Sequence, residues 1–60
     1  MNNDQINELF VLHHRAVNAG RHYTTAVAYE MSPSTKSRRE KAWDDAEREF
    51  ANRLKFHAND

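Results

Sequence analysis

Cysteine is absent from this chain, and glycine and proline occur once each. Without cysteine there are no disulfides and no thiolate metal sites to staple a small fold, and a reducing compartment is the expectation. Charge of one sign is missing as well. Nine lysines and arginines balance nine aspartates and glutamates, so no overall field draws the protein to nucleic acid or acidic lipid, and any such binding would have to be local. The longest apolar run extends only from Leu9 to Leu12. That is far short of the ~20 residues that span a bilayer, and no basic start leads into an apolar stretch of the kind that marks a secretory leader. The expectation is a cytoplasmic protein with no membrane partner.

Sixty residues allow one small domain, in the size range where a single core is marginal and self-association commonly assists. Hydrophobic residues make up 38% and charged residues 30% of the chain. The composition is polar, yet the apolar residues are periodic, which argues for a folded chain. Few breakers, with abundant alanine, glutamate, arginine and lysine, predict an all-α fold.

The stretch from Ile6 to Met31 organises the rest. At helical spacing Ile6, Phe10, His13, Val17, Gly20, Thr24, Val27 and Met31 fall on one line, and Leu9, Leu12, Ala16, Ala19, Tyr23 and Ala26 fall on a second line beside it. Together they cover about half the helix circumference, wider than a two-stranded coiled-coil seam. Asn2 or Asn3 can cap this helix, and Asp4 and Glu8 suit its positive end. Gly20 costs about 1 kcal/mol relative to alanine in a helix interior. With Ala16 and Ala19 it forms a flat patch suited to close packing.

Ser32-Pro33-Ser34 is the one strong break. Proline disfavours helical geometry at the residue before it and fits the first position of a new helix, for which Ser32 is a ready cap. The predicted order is a helix over about 3–31, a turn over about 32–34 and a helix over about 34–57. So short a connection joins antiparallel neighbours in a helical hairpin.

The second helix carries a narrower stripe of Trp43, Ala46, Phe50, Leu54 and His57, with charges over much of the remainder. Lys36 with Glu40, Lys41 with Asp45, Asp44 with Arg48 and Glu49 with Arg53 are each four apart, a spacing that supports a helix. Arg39, four before Trp43, can lie over its ring. The tail from Phe56 to Asp60 is expected to fray, with Phe56 off the main stripe.

One seam cannot cover so wide a face on the first helix. The expected remedy is a homodimer, two hairpins forming a four-helix bundle with the first helices central and the charged second helices outside. The candidate self-association or partner interface is Phe10, His13, Val17, Tyr23 and Val27 of the first helix with Trp43, Phe50 and Leu54 of the second. Were Phe10 and Trp43 buried there, replacing either with alanine would cost several kcal/mol. His13 on the apolar line would make association sensitive to mildly acidic pH.

Other chemistry finds little support. Among His13, His14, His22 and His57 no pair has zinc-motif spacing, so no metal is expected. No nucleophile stands beside a base, there is no glycine-rich phosphate loop, and the chain is too short to enclose a pocket, so neither catalytic residues nor cofactors are expected. The cluster Lys36, Arg38, Arg39 and Lys41, opening a helix after a turn, is the alternative: a small nucleic-acid-binding regulator holding phosphate there. Against it, Glu40, Asp44 and Asp45 follow at once, and the helix's ordered face carries Trp43 and Phe50 where polar base-reading groups would be needed.

Six aromatics, Phe10, Tyr23, Tyr29, Trp43, Phe50 and Phe56, spread over two helices around the Ser32-Pro33-Ser34 break. In this overall texture the chain resembles the small early proteins of lambdoid bacteriophages, in particular the short helical proteins of the exo to xis region. The resemblance implies a non-enzymatic early protein acting through protein contacts in the host cytoplasm. It would tilt the choice between lysis and lysogeny, or the host cell cycle. It carries over no functional residues.

Overall fold

A computed structural model describes residues 1–59. It is an antiparallel hairpin of two helices of 26 residues each, α1 (Asn3–Ala28) and α2 (Pro33–Ala58), and no strand occurs among the described residues.

Local chemistry sets the start of each helix. Asn2 Oδ1 accepts from the Gln5 amide at 2.9 Å, and Gln5 Oε1 accepts from the Asn2 amide at 2.9 Å, a reciprocal capping box. Ser32 Oγ accepts from the Thr35 amide at 3.3 Å, with Pro33 in the first turn of α2.

The end of α1 departs from expectation. The helix stops at Ala28, three residues before Met31. The Glu30 amide donates to the Val27 carbonyl at 3.1 Å and the Met31 amide to the Ala26 carbonyl at 2.9 Å. This pair of bonds is a Schellman closure, which needs a left-handed residue between them. Glu30 supplies it at φ 52°, where glycine is usual and any other side chain is strained by about 1 kcal/mol. At the other end, α2 runs regularly through Ala58, where fraying from Phe56 was expected; Asp60, also in that expectation, lies outside the described residues.

The hairpin settles which line of α1 meets α2. Leu9, Leu12, Ala16 and Ala26 of the second line are buried, Ala26 completely, and His57 is the buried residue of α2. Ala19, Tyr23, Trp43, Ala46 and Phe50 are half-buried along the same seam. The close packing expected at Gly20 is present, but a side chain makes use of the gap instead of a second backbone. A Cβ on Gly20 would lie 3.0 Å from Trp43 Nε1 and 3.1 Å from Cε2. The indole also stacks on Tyr23, ring centres 5.7 Å apart.

Of the first line, Gly20 meets Trp43 and His13 meets Phe50, while Ile6, Phe10, Val17 and Val27 are left exposed. The hairpin measures 43 × 15 × 10 Å with a radius of gyration of 13.8 Å, against about 10 Å for a compact domain of this length. Its accessible surface is 4693 Å², against about 4,100 Å² for a compact monomer of its mass. Both excesses follow from two helices having only one seam.

Candidate interaction surface

The two edges of the seam differ in chemistry. On one edge a groove of about 900 Å³ opens between α1 and α2, with Ala16, Gly20, Trp43 and Phe50 on its floor and Arg21 and Glu47 at its rim. The Thr24 hydroxyl, also at this groove, donates to the Gly20 carbonyl at 2.9 Å, so it makes no demand on an outside partner. Through His13 and Phe50 the groove continues into a smaller hollow of about 250 Å³ under Met1, Ile6 and Phe10. Phe10 stands beside it with 60% of its surface exposed.

The opposite edge is closed by polar groups. Arg53 grips the Glu8 carboxylate with two donors, Nε to Oε1 and Nη2 to Oε2, the latter at 3.3 Å. His57 Nε2 lies 3.3 Å from Glu8 Oε1. A carboxylate only accepts, so Nε2 bears the proton in this contact. Its Nδ1 is buried and has no hydrogen-bond partner among the described residues. The Arg53 guanidinium holds the Glu8 carboxyl below its ordinary range; partial burial opposes this and the His57 contact adds to it. Arg53 also lies 4.8 Å over the Phe56 ring. Farther along, Arg39 Nη1 donates to the His22 carbonyl at 3.0 Å.

The eight expected interface residues divide between two tasks. Phe10, Val17, Val27 and Leu54 are exposed and free for a partner. His13 is exposed with its ring 5.6 Å from that of Phe50. Tyr23, Trp43 and Phe50 pack within the hairpin's own seam, and Trp43 and Phe50 present one side to the groove. With Phe10 outside the seam, a several kcal/mol contribution to the single hairpin does not apply to it.

The basic cluster is partly taken up inside the chain. Arg39 goes to the His22 carbonyl, not over the Trp43 ring as expected, and Lys41 Nζ pairs with Asp45 at 3.3 Å. Lys36 is half-buried and Arg38 exposed. Arg48 reaches Asp45 at 3.7 Å, where Asp44 was expected, and Arg53 crosses to Glu8 in place of Glu49. The Glu8, Arg53 and His57 group escaped sequence reasoning because its members lie 45 and 49 residues apart. Only the hairpin register brings them together.

Among the described residues no group of three histidines or carboxylates is placed to hold a metal ion, and no helix is long and apolar enough to cross a membrane. Comparison with protein-family models, curated proteins and solved structures finds no match.

Proposed function

We propose that this protein is a small non-enzymatic regulator that acts through protein contacts, and that the open edge of the hairpin is its working surface. One observation carries the reading: the outward line of α1 runs beside a continuous groove floored by Ala16, Gly20, Trp43 and Phe50. Contiguous apolar surface of this kind marks an interaction site. Self-association into a homodimeric four-helix bundle is its first use, with the α1 helices central and the charged α2 helices outside. In keeping with the resemblance to early proteins of lambdoid phages, its setting is the host cytoplasm and its effect falls on phage development or host physiology through a further protein partner.

Sedimentation over a hundredfold range of concentration tests this reading, with helicity followed by circular dichroism. Twice the chain mass with high helicity is the expected result. A helical monomer at every concentration would remove the bundle.

A further inference from the structure

We propose that the back of α1, the side turned away from α2, is a contact surface for duplex DNA, with Arg15, Arg21 and Arg39 holding phosphates. This surface is separate from the groove floor that carries the reading above.

Charge is unevenly divided in this neutral chain. From Leu9 to Ala28, α1 contains no carboxylate and two arginines, whereas residues 40–49 of α2 hold five carboxylates and two cations. A polyanion is therefore drawn to α1. The cations also differ in how they are engaged. Lys41 and Arg48 of α2 pair with Asp45, and Arg53 with Glu8. Arg15 and Arg21 are exposed and make no hydrogen bond or ion pair among the described residues. Glu8, seven residues before Arg15 on the same edge, is already held by Arg53 and His57, so its charge is offset.

At about 100° per residue, His14, Asn18, Arg21 and Thr25 form one line on the side of α1 opposite the buried Leu12 and Ala16, with Arg15 and His22 on its flank. All six are exposed, and each side chain has a hydrogen-bond donor. Arg39 joins them from α2. Its Nη1 donates to the His22 carbonyl at 3.0 Å, which brings a third guanidinium to the stripe.

Duplex DNA fits this pattern better than an acidic protein does. Arg15 and Arg21 stand three residues either side of Asn18, so guanidinium groups suited to phosphate flank an amide suited to an adenine edge. Between His14 and Thr25 the stripe offers no apolar anchor of the kind that centres a protein interface. One helix, about 10–12 Å in diameter, enters a major groove about 12 Å wide. The α2 helix then lies on the far side, with its carboxylates away from the DNA.

Fluorescence anisotropy of a labelled duplex of about two helical turns, titrated with the protein over a range of salt, tests the assignment. The expected result is binding at low salt, with log affinity falling against log salt at a slope of roughly −2 to −3, about −0.9 for each phosphate held. Arg15→Gln combined with Arg21→Gln should weaken binding about tenfold or more and reduce the slope by about two. Arg15→Lys with Arg21→Lys should keep the slope, and Lys36→Gln with Arg38→Gln should bind as the wild type does. Both arginines are exposed, and unchanged helicity in the variants separates lost contact from lost folding. No binding at low salt overturns the proposal. An equal loss in Lys36→Gln with Arg38→Gln also overturns it, by moving the contact to the start of α2. So does displacement of the duplex by polyglutamate at matched charge, which would assign the face to an acidic protein.

Discussion

The two edges of the seam hold the same pair of helices together by different means. One uses shape: Trp43 fills the gap above Gly20, Tyr23 stacks on it, and His13 meets Phe50. The other uses charge: Glu8 is held by Arg53 and His57, and Arg39 by the His22 carbonyl. Apolar packing does not exhaust itself, because an indole has a second face to offer. A carboxylate already holding a guanidinium and an imidazole has little left for a newcomer. On the reading proposed above, the edge that stabilises the hairpin by packing is also the edge that recruits more protein, while the polar groups of the other edge are already engaged with one another.

The largest expected effect breaks the packed edge. Trp43→Ala empties the space above Gly20 and removes the Tyr23 stack, and should lower hairpin stability by about 3 kcal/mol, read as the midpoint of urea unfolding. A loss below about 1 kcal/mol would mean that the charged edge holds the helices instead.

A smaller effect, of opposite sign, comes from a site touching neither edge. Glu30→Gly relieves the left-handed strain of the turn and should raise stability by about 0.5–1 kcal/mol. The dissociation constant of the proposed dimer should not move with it, because the turn lies at one end of the long axis. A change in both would show that the connection belongs to the working surface.

The third test separates the charged edge by pH. The Glu8 carboxyl titrates lower in the folded chain than its ordinary value of 4.5. Its contribution is therefore fully present above that value and is lost as pH falls through the lower folded one. Wild-type stability should decline with acid over this window, and Glu8→Gln should flatten the decline while leaving Trp43 fluorescence at neutral pH unchanged. An identical acid profile in the two proteins would show that the Arg53 contact adds nothing to folding.

The legible part of this fold was the part written in local chemistry. Ser32 before Pro33 marks the start of α2 and Asn2, one of two cap candidates, starts α1, while the Gln5 side chain that completes its capping box was not read; the stripe from Trp43 to His57 identifies the inner side of α2 except at Leu54, which is exposed. The end of α1 was hidden because its left-handed residue is Glu30, which gives no glycine signal. The choice between the two apolar lines was hidden for another reason. Both have helical spacing, and only the partner helix decides which is covered. Its decision for the Leu9, Leu12 and Ala16 line leaves Phe10 outside, where the outward line becomes surface.

Trp43 is the single tryptophan of the chain, and it lies on the groove floor with Tyr23 stacked against it. Nature has thus placed an optical probe at the point of interest. Indole emission responds to whatever displaces water from its free side, so a shift in emission maximum reports occupancy of the groove with no label attached. Titration followed at that wavelength would distinguish a chain that meets its own copy, for which the shift follows its own concentration, from one filled by a foreign protein, for which it follows the addition of that protein.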